Sequence, residues 1–240
     1  MDILVRDDYL DGKEQNHARN DRNLHAPPSL GAQATRYLPA DLFAKYRSIR
    51  ADISNSEFYS NPKHRKTMEI WCAARFGRAY EAHLGPCALW VHDRDEQTDA
   101  DVALEVNGVR YPFQITEVQK QDRRRGDEYR VGVLSSRTTV EDWDNGREQG
   151  PTWFRAAIER KLHRYGGEVS GLNLLVYLNY VAIEQPYFEL QNAVAEVAAR
   201  FLSVRVLNGN ALACISTNST ALNGPLEWMF NPVGLDDDEH

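Results

Sequence analysis

The sequence predicts an α/β domain built on a mixed β-sheet, and three observations carry that expectation. Apolar stripes at helical spacing alternate along the chain with short apolar runs bounded by Gly, Pro and Asn. Two Asn-Gly pairs, Asn107-Gly108 and Asn208-Gly209, each stand between strand-like runs, the mark of a tight hairpin. Read through, the elements fall in the order α-β-β-β-α-β-α-β-β. Hairpins make antiparallel neighbours and helical crossovers make parallel ones, so the sheet must hold both.

Residues 1–62 are rich in Asp, Asn, Arg and Ser and predict one short helix, from Pro39 to about Ile53. They read as an arm or lid packed on the body, not a domain of their own. A strong helix follows from about Pro62 to Leu84 and stops at Gly85-Pro86. Its stripe is Ile70, Ala73, Ala74, Gly77, Tyr80, Glu81 and Leu84, which places a carboxylate on a core-facing row. Such a group needs a partner, either a functional one or an arginine such as Arg75 or Arg78. Cys87 to Val91 reads as an apolar strand. Asp101 to Val106 and Val109 to Gln119 form a hairpin, with Val106 facing Val109, Glu105 facing Arg110 and Leu104 facing Tyr111. After Gly150-Pro151 a helix carries Phe154, Ile158, Lys161, Leu162 and Tyr165. Leu172 to Tyr180 is a buried strand, a helix starts near Pro186, and Val204 to Leu207 with Ala211 to Ser216 close the chain as a hairpin. The body therefore spans 63–235, and 236–240 is an acidic tail expected to be disordered.

Composition narrows the function. Hydrophobic residues make up 42% of the 240 and charged residues 26%, which suits a globular chain with a real core. The longest apolar stretch, Leu172 to Ile183, is broken by two asparagines and is too short to span a bilayer. Met1 to Glu14 shows no signal-peptide pattern, and three widely spaced cysteines, Cys72, Cys87 and Cys214, read as reduced thiols; a cytoplasmic location is expected. The formal net charge is -7. Setting aside Asp236, Asp237, Asp238 and Glu239 leaves a nearly neutral body. A protein that coats nucleic acid nonspecifically needs surplus Lys and Arg and is disfavoured; an enzyme with a local basic patch is not.

The chemistry concentrates at the end of the hairpin's second strand. Val109, Tyr111, Phe113 and Ile115 alternate onto one face, and Glu117 and Gln119 continue it. An apolar row that ends in carboxylate and amide predicts a sheet end opening into a polar cleft. Asp101 starts the neighbouring strand at the same end, and Glu81 comes from the preceding helix. Three carboxylates converging there suit Mg²⁺, which takes few acidic oxygens plus water and phosphate oxygens. A cation so held activates water and clamps a phosphodiester.

Gly77-x-x-x-Glu81 on a helix, then Asp101, then a hairpin leading to Glu117-Val118-Gln119, resembles the PD-(D/E)XK nuclease superfamily over about residues 63–180. The resemblance implies a restriction-endonuclease-like α-β-β-β-α-β core with a mixed central sheet, carrying an N-terminal arm and a C-terminal hairpin. It implies Glu81 as the helix acid, Asp101 as the first metal ligand and Glu117 as the acid of the E-x-K element, with Gln119 in place of its lysine. The cofactor implied is Mg²⁺, with Mn²⁺ as substitute; the activity is hydrolysis of DNA rather than RNA, in a homodimer. Lys161 or Lys120 would restore the missing positive charge. Strict pairing across Asn107-Gly108 sets Asp101 opposite Gln114, on the face away from Glu117; a bulge at Pro112 would correct this and also makes Asp99 an alternative ligand.

Arg123, Arg124 and Arg125 follow directly and suit phosphate contacts, unless Asp122, Asp127 and Glu128 neutralise them within a solvated loop. Trp143 and Trp153 suit base stacking or ordinary packing. Nucleophile-elbow, P-loop, dinucleotide and H-E-x-x-H motifs are missing, and His83, His92 and His163 lack partners at ligand spacing and are expected at the surface or at caps. The reading from another class keeps the fold without catalysis: a degenerate nuclease serving as a binding or regulatory module.

Overall fold

The computed structural model describes residues 34–92, 100–120, 139–166, 169, 171–180, 182, 187–209 and 211–218. The expected sites Asp99, Arg123, Arg124 and Arg125 and the tail 236–240 lie outside these residues. In chain order the elements are β1 (Thr35–Tyr37), α1 (Pro39–Arg50), α2 (Asn55–Ser60), α3 (Arg65–Leu84), β2 (Ala88–Val91), β3 (Val102–Val106) and β4 (Val109–Gln119). Then come α4 (Val140–Arg164), β5 (Asn173–Asn179), α5 (Tyr187–Ala198), β6 (Ser203–Asn208) and β7 (Ala211–Thr217). The strands form one seven-stranded mixed sheet in the spatial order β1-β2-β3-β4-β5-β6-β7. β4, β5 and β6 are mutually parallel and the remaining pairs antiparallel. The α/β class, the mixed sheet and the Asn107-Gly108 hairpin are as the sequence predicts; the last two strands also form a hairpin, but Asn208 pairs with Ala211 within the ladder, so the turn falls one residue later than Asn208-Gly209.

Two apolar layers bury the sheet's faces. Phe76, Phe113, Leu89, Leu104 and Leu175 pack beneath α3, with Leu42 of α1 in the same layer. Phe154, Ile158, Leu174, Val176 and Leu190 pack between the other face and α4 and α5. The period of two in β4 and β5 divides their residues between the layers. Gly77 of α3 lies against β2: a Cβ there would come within 2.5 Å of Leu89 Cδ1.

Three details depart from the sequence reading. Residues 35–37 add a strand beside β2, so the segment 1–62 contributes to the sheet itself. α4 begins at Val140, well before Gly150-Pro151, and runs through Pro151. A capping box holds its start: Thr139 Oγ1 accepts from the Asp142 N–H at 3.1 Å, and Asp142 Oδ2 accepts from the Thr139 N–H at 3.1 Å. Gly150 fits against Tyr180, whose hydroxyl would lie 2.5 Å from an added Cβ.

The third is at Pro112, which pairs with Ala103 in unbroken register instead of carrying a bulge. Val106 and Val109 close a two-residue turn, so hydrogen-bonded pairs recur at Leu104–Tyr111 and Val102–Phe113, and Pro112 falls between them where no N–H is needed. The irregularity sits instead at the start of β3. The Asp101 N–H donates to the carbonyl of Phe113 at 2.9 Å, although Phe113 already pairs with Val102. Two successive residues thus face one, the arrangement of a β-bulge.

Candidate functional site: a notch on the open edge of β4

β3 ends its pairing at Phe113, whereas β5 accompanies β4 from Phe113 to Gln119. Among the described residues, β4 beyond Phe113 therefore has a strand on one side only. The Asp101 carboxylate meets that edge: Oδ2 accepts from the Ile115 N–H at 2.7 Å, standing in for the ladder partner that β3 no longer supplies. The start of α3 and the end of α4 wall in the space beside it. The cleft is about 260 Å³ and is lined by Arg65, Lys66, Glu69, Cys72, Asp101, Gln114, Thr116, Glu117, Lys161, Arg164, Tyr165 and Tyr177, among others.

Asp101 and Glu117 both line this cleft. Asn179 Nδ2 donates to Glu117 Oε1, so the neighbouring strand fixes that carboxylate. Glu81 is elsewhere. It is exposed and lies twelve residues along α3 from the cleft residue Glu69, about 18 Å at the helical rise. The charge of Glu81 is felt by Cys87, whose thiol is pushed up to about 12 by burial first and Glu81 second. The helical carboxylate of the cleft is Glu69. The stripe read from Ile70 onward extends back one turn to Lys66, with Glu69 beside it; that extension is the only trace of it in the sequence, and it does not single Glu69 out from Glu81.

Burial pushes the Glu69 carboxyl above its ordinary value, and the neighbouring Asp101 adds to the effect. Lys66 Nζ at 3.0 Å and Arg65 Nε at 3.6 Å offset part of this. Burial likewise lowers the Lys161 ammonium; Asp101 and Glu69 attract it, and Arg164 and Arg65 oppose it. Lys161 Nζ donates to Gln114 Oε1 at 2.9 Å, so this lysine, one of two considered for the role, stands inside the cleft. Lys120 does not line it: its ammonium binds Asp142 Oδ1 at 3.0 Å, at the opposite end of α4. Gln119 does not line the cleft either; it pairs with Asn179 at the end of β4.

Cys72 lines the cleft, and burial, then Glu117 and Glu69, hold its thiol well above the ordinary range, which disfavours the thiolate. His92, expected at the surface or at a cap, is buried directly after the end of β2. Trp153 packs edge-on against Tyr180 with ring centres 5.4 Å apart, which is a packing role, and Trp143 is partly exposed at the start of α4.

Carboxylate oxygens are the hard donors that Mg²⁺ prefers, so the donor chemistry fits. The arrangement does not: among the described residues no three acidic, histidine or cysteine groups close on one point. Among the same residues no helix is long and apolar enough to cross a membrane. Compared with family models, curated proteins and solved structures, the chain matches none.

Proposed function

We propose that the chain is a nuclease that hydrolyses DNA phosphodiesters with a divalent cation, on a restriction-endonuclease-like core. One observation carries the reading: Glu69, Asp101, Glu117 and Lys161, from four different elements or their ends, line a single cleft at the open edge of β4. The order α3-β2-β3-β4-α4-β5, with β5 parallel to β4, supports it as the arrangement the resemblance implies. In this reading Glu69 replaces Glu81 as the helix acid, and Lys161 supplies the charge that Gln119 lacks.

The chain's own groups act on the substrate as follows. Lys161, held toward the cleft by Gln114, offers an ammonium to a phosphate oxygen. Arg65 and Arg164 line the same cleft, and both are exposed enough to meet neighbouring phosphates along a strand. Glu117, oriented by Asn179, is the carboxylate placed to orient a water against phosphorus. A second copy of the chain as partner remains part of the proposal.

The test is cleavage of supercoiled and linear DNA by the full chain with Mg²⁺ or Mn²⁺, against a chelator control. Wild type is expected to cut. Asp101→Ala, Glu117→Ala and Glu69→Gln should each lose at least about 100-fold in rate, while Glu81→Ala stays at the wild-type rate. No cleavage with either ion refutes the enzyme. The seating of the Lys66 ammonium between Glu69 and Asp101 then favours the second reading, a non-catalytic module, for which DNA retention in a mobility shift without cleavage is the expected result.

A further inference from the structure

We infer that Lys161 and Arg164, on the last turns of α4, form a subsite that takes a terminal phosphate, the charged end of a nucleotide or of a nucleic-acid strand. The inference rests on the reading of this cleft as the place where nucleic acid is held, and it names the group that enters. It requires neither a divalent ion nor cleavage.

Four cationic side chains line the cleft against three carboxylates. The carboxylates are matched by donors of their own. Lys66 lies 3.0 Å and Arg65 3.6 Å from Glu69, the Ile115 N–H donates to Asp101 at 2.7 Å, and the Asn179 amide donates to Glu117. The α4 pair is left over. Among the described residues, Lys161 donates only to the neutral Gln114, at 2.9 Å, and Arg164 has neither an ion pair nor a hydrogen bond. Residues three apart on a helix are neighbours, so the two like charges stand side by side and repel. The negative end of the α4 dipole favours basic residues in the last turn, which accounts for an exposed one such as His163. It does not account for a half-buried lysine that lines a cleft. The low Lys161 ammonium, whose first cause is burial, shows that Asp101 and Glu69 do not make good the lost hydration. An anion seated between the pair removes the repulsion through charge-assisted hydrogen bonds.

Charge and size select the anion. A terminal phosphate carries about 1.5 to 2 negative charges at pH 7 and offers three acceptor oxygens, a match for two cations. An internal phosphodiester carries one charge. Small-molecule sites commonly span about 300–1,000 Å³. At about 260 Å³ the cleft takes one phosphate with its sugar, not a length of double strand.

Fluorescence anisotropy of the full-length chain, in chelator and at low salt, tests this. The probe is one internally labelled single-stranded oligonucleotide carrying a 5′-phosphate, a 3′-phosphate or hydroxyls at both ends. At least one phosphorylated form is expected to bind about tenfold more tightly than the hydroxyl form. Equal binding of all three overturns the inference. Lys161→Met and Arg164→Gln should each erase the preference; a preference that survives both places the phosphate elsewhere and also overturns it. Arg164 is exposed, so its variant decides should Lys161→Met fail to fold by circular dichroism. Displacement of the probe by an equal concentration of deoxynucleoside monophosphate makes a free nucleotide the occupant, and displacement by unlabelled phosphorylated strand alone makes it the strand end. The preference without any cleavage in Mg²⁺ or Mn²⁺ removes the enzyme and leaves the subsite, whereas cleavage without the preference removes the subsite alone.

Discussion

The Glu69 carboxyl is held above its ordinary value of 4.5 by burial and by Asp101, and the linkage sign follows from that direction. Between the unfolded value and the higher folded one, the native chain binds more protons than the unfolded chain. Stability therefore falls as pH rises through that window. Glu69→Gln removes the titrating group, so it should melt higher than wild type above the window, and the two should converge below about pH 4.5. Thermal melts across the acid range check this; a constant gap between the proteins contradicts it. Glu69 also marks the limit of what the sequence discloses at this scale. Asp101 and Glu117 were legible because strand alternation and a two-residue turn locate them within a residue or so. The helix acid was not, because α3 offers acids near both ends of one long stripe and periodicity fixes a face but not a height along the axis. The bulge that sets Asp101 beside Val102 depends on where β3 stops pairing, which no local pattern encodes.

Among the elements, α4 shows how a punctuation rule misleads. Gly150-Pro151 looks like a boundary because proline removes an N–H and clashes with the preceding turn. The Thr-x-x-Asp box at Thr139 is the true start, and it was readable in the sequence. Thr139→Ala is expected to cost about 1 kcal/mol in denaturant unfolding, as loss of an N-cap does. Asp142, which completes the box, is lowered from 3.8 to about 2, first by the Thr139 N–H and then by Lys120 and the Thr139 hydroxyl. Its contribution is present above the ordinary carboxylate value and is lost as pH falls through about 2. The wild-type advantage over Thr139→Ala should accordingly shrink in strong acid; an advantage unchanged there would contradict the assignment. β5 is the opposite case, an element whose interruptions are its function. Asn173 donates to the Pro112 carbonyl at 2.9 Å and accepts from Ser203 at 2.7 Å, while Asn179 holds Glu117. The two asparagines that broke the apolar run pin the strand at both ends.

At the scale of the whole molecule, one sheet is shared by two apolar layers, so neither layer can melt and leave the other intact. Phe113, fully buried 4.9 Å from Phe76, belongs to the α3 layer, and Phe154, also fully buried, to the α4 layer. Phe113→Ala and Phe154→Ala should each cost about 3–5 kcal/mol and shift a single transition. Tryptophan fluorescence and far-ultraviolet circular dichroism should coincide in both variants; separated curves would show independent subunits of structure. The α/β class and the register of the first hairpin were readable because neighbours in sequence are neighbours in the sheet, whereas β1 was not, being three residues too few to show an alternation. The same strictly sequential order of strands has a temporal side. No later strand must wedge between earlier ones, so a chain emerging from the ribosome can extend the sheet one strand at a time, each new arrival finding its template already laid down.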